Sequence, residues 1–179
     1  MNNWKILSKK VVFDNPYRSV EEWKCEKPDG TILDFAMVQG KDVVIVAALT
    51  PEKKFLVIQD FFPNTLEKYP SLVAGMVEEG DTPESTAARE LKEETGCIAK
   101  HIIPLGSSLA GKYFNFTIHY FLALGIEQIA EQSLEVGEDI DITFVDKEVF
   151  EQLVHSTTLQ SVFVLACAYR ALDYIQKNV

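Results

Sequence analysis

Apolar and polar residues alternate over residues 4–13, 20–26 and 32–38, and the turn-forming sequences Asn15-Pro16 and Lys27-Pro28-Asp29-Gly30 fall between these segments. A period of two is that of a half-buried strand, so they predict an antiparallel meander. Residues 42–49 and 54–59 are denser in Val and Ile and flank a connection with Pro51, which predicts a hairpin of a main sheet. Residues 61–71 carry two prolines, an asparagine and no clear period, and read as a loop leading to Leu72-Val73-Ala74-Gly75. At Thr82-Pro83 the signals change to those of a helix start, a capping hydroxyl and a proline at the first helical position, and Gly96 is a stop; the helix spans 83–95. Beyond it, residues 98–107, 117–124 and 140–145 predict strands, with loops over 111–116 and 132–139. Two helices close the chain, over 147–155 and over 159–177, the second capped by Thr157 or Thr158.

This order gives two parts, an N-terminal antiparallel sheet over 1–41 and a larger α+β domain over 42–179. With 47% hydrophobic and 25% charged residues the composition is that of an ordinary globular protein. A net charge of -10, from 27 acidic against 17 basic residues, repels a phosphate backbone, so no nucleic-acid partner is expected. A small anion can still bind where divalent cations invert the local field. Cys25, Cys97 and Cys167 form no CxxC pair, which suits reduced thiols in a cytoplasm. Residues 1–10 lack the apolar run of a secretion signal. The apolar stretch 162–171 is interrupted by Tyr169 and Arg170 and is too short to span a bilayer, so a buried helix and no membrane partner are expected.

Between Glu78 and Glu94 lie seven acidic residues and only two basic ones, Arg89 and Lys92, a concentration of like charge that calls for a compensating cation. On a helix Glu90 and Glu94 are one turn apart and Glu93 is three residues from Glu90, so the three carboxylates leave one side. Magnesium commonly takes a few carboxylates together with phosphate oxygens of a substrate. Ala87, Ala88, Leu91 and Thr95 give the helix a less polar surface to lay against the sheet. An isolated Glu-x-x-Glu-Glu is most often just a solvated helix face.

The wider spacing is more specific. Gly75 is followed after five residues by Asp81 and after seven more by Arg89-Glu90-Leu91-Lys92-Glu93-Glu94-Thr95-Gly96-Cys97. This resembles the Nudix box, Gly-x5-Glu-x7-Arg-Glu-U-x-Glu-Glu-x-Gly-U with U a bulky aliphatic residue, the departures being Asp81 and Cys97. The resemblance implies the Nudix fold, a mixed β-sheet sandwiched between helices, here with the N-terminal antiparallel β-meander. It also implies a hydrolase that cuts a nucleoside diphosphate linked to another group. By this likeness the metal ligands are Glu90, Glu93, Glu94 and the backbone carbonyl of Ala74, the cofactor is Mg²⁺ with Mn²⁺ as substitute, and Arg89 orients the glutamates.

The surroundings look most like the ADP-ribose pyrophosphatase branch, in which a late-loop carboxylate activates water or binds metal and the N-terminal sheet makes a homodimer. Glu138, and after it Glu135, is the candidate for that carboxylate. The expected substrate is ADP-ribose or a related nucleotide sugar; the alternatives are a dinucleotide or coenzyme, or a binding module that senses a nucleotide without cutting it. Three departures from the branch concern specificity: Ser71-Leu72-Val73-Ala74-Gly75 at the entrance of the box, Gln59-Asp60-Phe61 in the strand before it, and Leu109-Ala110-Gly111 after it. Phe61 and Tyr113 are candidates for stacking on a base. His101, His119 and His155 are scattered and read as ordinary polar or packed residues.

Overall fold

The computed structural model describes residues 3–178. In chain order the elements are β1 (Lys5–Asp14), β2 (Ser19–Glu26), β3 (Ile32–Gln39), β4 (Val43–Leu49), β5 (Phe55–Phe62), β6 (Glu67–Ser71), β7 (Val73–Met76), α1 (Pro83–Thr95), β8 (Cys97–Ile98), β9 (His101–Leu109), β10 (Phe114–Asn115), β11 (Thr117–Leu124), β12 (Glu127–Gln128), β13 (Ile140–Val145), α2 (Lys147–His155) and α3 (Val162–Asn178). The chain forms two compact units, one running up to Asp42 and including Ser108–Thr117, the other made of Val43–Ser107 and the residues from Ile118 onward.

In the first unit β1, β2 and β3 form the expected antiparallel meander. The segment 111–116, expected as a plain loop, instead contains β10, which pairs in parallel with the end of β3 through Phe114↔Val38 and Asn115↔Gln39. Two residues are too few to show a period, which is why the pattern hid it. Side-chain contacts within and between the strands hold this sheet. Lys9 Nζ lies 3.9 Å from the ring centre of Trp23, Trp23 Nε1 donates to Glu21 at 2.6 Å, and Phe35 stacks on Tyr113 with centres 6.3 Å apart. Every residue of β1 is exposed, among them Ile6, Leu7, Val11, Val12 and Phe13.

The second unit is built on a seven-stranded mixed sheet with the path β13-β5-β4-β11-β9, to which β6 adds beside β5 and β7 beside β4. β4 pairs in parallel with β11, while β5, β6, β7 and β13 pair antiparallel with their neighbours. Residues 67–71, expected in a loop, form β6; Pro70 is tolerated because β6 pairs on one side only. Alternation divides the sheet into two faces. Val44, Val46, Ala48, Leu56, Ile58, Val73, Phe121 and Ile140 form one core with Ala87 and Leu91 of α1. The opposite residues face α2 and α3, where Phe55 stacks on Phe150 at 4.0 Å and the buried Cys167 thiol donates to Ile45 O. α3 begins at Val162 rather than 159, because Ser161 supplies both backbone oxygen and hydroxyl to its first turn. Among the described residues no helix is long and apolar enough to cross a membrane.

Candidate active site

α1 is fixed at both ends by its own residues. Thr82 and Ser85 make a reciprocal capping box around Pro83, and Gly96 closes the helix at φ 69°, with its N–H bonded to Lys92 O. The inward rows are Ala87, Leu91, Thr95 and, beside them, Thr86, Glu90, Glu94. Ala88, expected on that surface, is exposed, and Thr86 takes its place. One turn separates residues 86, 90 and 94, so the row that starts on Thr86 delivers two glutamates into the edge of the core.

Both glutamates are held against β7. Gly75 leaves room for Glu90: a Cβ at that position would lie 2.0 Å from the Glu90 carboxyl carbon. Ala74 N–H donates to Glu94 Oε1 at 3.4 Å. Glu90 is 8% exposed and Glu94 3%, and Glu94 Oε2 is a buried oxygen with no hydrogen-bond partner. A buried carboxylate left in that state is costly unless a cation or a proton meets it.

Arg89 gathers the remaining charge. Its Nη1 donates to Glu93 at 2.8 Å, Nη2 lies 3.0 Å from Glu90 Oε1, and Nε lies 3.6 Å from Asp81. Burial opposes the guanidinium charge, and Glu90, Glu93 and Asp81 more than offset it, so its pKa is raised. Burial pushes the Glu90 carboxyl up to about 7 against the pull of Arg89, with Glu93 and Glu138 adding to the rise. Glu94 is raised well above the ordinary carboxylate range by burial first, then by Glu90, Glu138 and Asp60, against the Ala74 hydrogen bond.

Asp60 is a further acid of this site that no sequence motif marks. It lies on β5 two residues after Ile58, hence on the face that α1 covers. Burial raises its pKa, with Glu138 contributing and the Phe61 N–H and Lys68 opposing. The available signal was its place in phase with Ile58 after the apolar run Phe55-Leu56-Val57-Ile58, where an acid facing a core needs a reason.

The late loop supplies Glu138. It is half-buried, and its charge is felt at Glu90, Glu94 and Asp60. Its Oε2 accepts from Glu135 N–H at 2.8 Å; Glu135 itself is exposed. Arg89, Glu90, Glu93, Glu94, Ala74 and Glu138 thus belong to one neighbourhood of α1, β7 and the late loop. Phe61 does not join it: opposite Lys68 and one residue from Asp60, it sits on the other face of the sheet. Tyr113 belongs to the first unit, where it packs on Phe35.

Among the described residues no three His, Cys, Asp or Glu side chains converge so as to enclose an ion by themselves. Glu90 and Glu94 nonetheless present hard carboxylate oxygens with raised pKa values, one of them orphaned, a donor pair that fits a divalent cation completed by phosphate oxygens and water.

Comparison with known proteins agrees with this geometry. The NUDIX domain family model matches residues 39–155. The chain is 29% identical over 175 residues to an ADP-ribose pyrophosphatase of Bacillus subtilis (strain 168), covering 96% of this chain and 92% of the relative. It is 24% identical over 178 residues to a methanol dehydrogenase activator of Bacillus methanolicus, covering 97% and 96%. A crystal structure of an ADP compounds hydrolase superposes with a TM-score of 0.85 at 18% identity, covering 99% of this chain and 96% of that one. The match spans more than half of the chain and includes the whole Arg89–Gly96 segment, and the protein belongs to the Nudix hydrolase family.

Proposed function

We propose that this Nudix hydrolase cleaves the diphosphate of ADP-ribose or a related nucleotide sugar in a Mg²⁺-dependent reaction, giving two phosphomonoesters. The observation that carries the metal dependence is the buried, unpartnered Oε2 of Glu94 beside Glu90, two carboxylates whose pKa values burial has raised and which a cation would stabilise in the charged form. The names of the relatives support the substrate class: one is an ADP-ribose pyrophosphatase and one structural neighbour an ADP compounds hydrolase.

Glu90, Glu94 and Glu93, with the Ala74 carbonyl, would hold the ion. When bound, Mg²⁺ supplies neutralisation of the diphosphate charge and acidifies water. The chain's own residues do the rest. Arg89 holds Glu93 and Glu90 in place through its hydrogen bond and ion pair. Glu138, half-buried and close enough for its charge to act on Glu90 and Glu94, accepts the proton of the attacking water. Water adds to one phosphorus as the bridging P–O bond breaks, and the leaving phosphate takes the electron pair.

The exposed apolar residues of β1 support a homodimer formed through the first unit. The free thiols of Cys25, Cys97 and Cys167 and the acidic surface support a cytoplasmic enzyme that does not bind nucleic acid. The test is incubation with Mg²⁺ and, in parallel, ADP-ribose, other nucleotide sugars, dinucleotides and coenzyme A, with products separated by chromatography. Release of AMP and ribose 5-phosphate, abolished by chelation, is the expected result. Nucleotide binding without any product would overturn the hydrolytic reading.

A further inference from the structure

We propose that Lys68 is a positioning residue for Glu138, a role that rests on Glu138 acting at the site as set out above. Lys68 Nζ donates to Asp139 Oδ1 at 2.6 Å and to Asp141 Oδ2 at 2.7 Å. Asp139 directly follows Glu138, and the two aspartates straddle Ile140, the first residue of β13. Lys68 itself is on β6, and the strand that separates β6 from β13 is β5.

The register fixes how the clamp works. Lys68 stands opposite Phe61, and Asp141 stands opposite Gln59. Residues directly opposite share a face and alternate residues do too, so Lys68, Phe61, Gln59 and Asp141 all lie on the face turned away from α1. Ile140 lies on the other face, in the core that α1 covers. The ammonium therefore crosses β5 on its back and grips the start of β13 there, while Glu138 faces the acids of α1, at which its charge is felt.

Ile140 is held in the core and its O accepts from Gln132 Nε2 at 3.1 Å, whereas just ahead of it the loop that carries Glu138 turns on itself. Gly137 has φ 112°, and Glu135 and Glu138 form a local turn, with Glu138 N–H bonded to Glu135 O at 3.1 Å. Glu138, Asp139 and Asp141 are three like charges in four residues, next to Asp60, Glu90 and Glu94. Without a cation behind them, repulsion would swing the loop outward. The two aspartates raise the pKa of Lys68, so it stays charged wherever the site works.

The experiment is a double-mutant cycle in the full chain with Mg²⁺ and the diphosphate found to be cleaved, using K68M, K68R, E138Q and K68M/E138Q. K68M should lower kcat about tenfold, with KM changed less than about twofold and the melting temperature unmoved, since exposed ion pairs contribute little to folding. K68R should restore most of the rate. In the E138Q background K68M should have no further effect, because its only route to the reaction has gone. The same tenfold loss in both backgrounds would overturn the clamp, as would full turnover by K68M when E138Q is slow. Full turnover by E138Q, or none by the unsubstituted chain, would overturn the role of Glu138 and the clamp with it.

Discussion

Gly75 and Glu90 meet without space for one more carbon atom: a Cβ at residue 75 would lie 2.0 Å from Glu90 Oε1 and 2.4 Å from its Cγ. The spacing between Gly75 and Arg89-Glu90 is thereby given a physical meaning. β7 must come close enough to α1 for Ala74 N–H to reach Glu94, and that approach leaves Glu90 only the space a glycine vacates. Gly75→Ala should push Glu90 out of its seat. Overpacking of this kind costs about 1–3 kcal/mol, and displacing a metal-binding group should weaken Mg²⁺ binding by about 10–100-fold. Thermal melts and an Mg²⁺ titration of turnover check both, and an unchanged Mg²⁺ titration would refute the seat.

Arg89 answers three acids at once, and no smaller cation reproduces that. A lysine could reach Glu93 or Glu90 but lacks the planar fork that now serves Glu93, Glu90 and Asp81 together. Arg89→Lys should reduce turnover by about tenfold and Arg89→Ala by about 100-fold. Removing the guanidinium also removes the main influence holding the Glu90 pKa down, so the acidic limb of the pH–rate profile of Arg89→Ala should move to higher pH. A limb that stays in place while the rate falls would show that Arg89 acts elsewhere.

Glu90 links metal to folding through pH. Its carboxyl is raised to about 7 in the folded chain, against an unfolded value of 4.5. Between these two values the folded state holds more protons than the unfolded one, so metal-free stability falls as pH rises through this window and levels off above about 7. A shift of this size corresponds to at most about 3 kcal/mol; the rise at Glu94 has the same sign. Mg²⁺ competes with those protons, so the melting temperature gained on adding Mg²⁺ should be larger at pH 8 than at pH 5.5. Glu94→Gln, which removes a carboxyl whose charged form burial disfavours, should melt higher than the unsubstituted chain in EDTA at pH 8 and lose its response to Mg²⁺. Equal Mg²⁺ shifts at both pH values would overturn this linkage.

The parts legible in advance were those whose signals are local. Thr82-Pro83 and Gly96 bounded α1 to the residue, because a cap, a proline and a left-handed glycine each act within one turn. The α2 helix over 147–155 was legible for a similar reason, a run of apolar residues at helical spacing between polar ends. What escaped depends on partners distant in the chain. β6 has Glu67, Lys68 and Pro70 in five residues and is a strand only because β5 offers it an edge. β10 exists only beside β3. In the site, the Arg89–Glu94 spacing named its residues, whereas Asp60 is a lone acid with no period, and its place facing α1 is set by the register of β5. Phe61 shows the sequence only its ring, and the alternation that turns it to the other face depends on Ile58 facing α1.

Gly96 ties the end of α1 to the loop that leads to Glu138, and it does so in two ways that a pair of substitutions separates. Its φ of 69° is one that L side chains rarely adopt, and a Cβ there would lie 2.1 Å from Ala130 O. Around it, Ile129 and Ala130 donate to Gly96 O, Ser133 N–H donates to Glu93 O at 2.8 Å, and Gln132 Nε2 donates to Glu94 O at 2.6 Å. Gly96→Ala therefore combines backbone strain with a backbone clash and should cost about 2–4 kcal/mol. Gly80 is the control: its φ is 92°, but a Cβ there meets nothing within 4 Å, so Gly80→Ala should cost only the strain, about 1–2 kcal/mol. The excess at residue 96 should appear as faster hydrogen exchange over residues 129–133 and as lower turnover, since the loop that carries Glu138 hangs from that contact. Equal costs at residues 80 and 96, with exchange over 129–133 unchanged, would show that the loop is held independently of the end of α1.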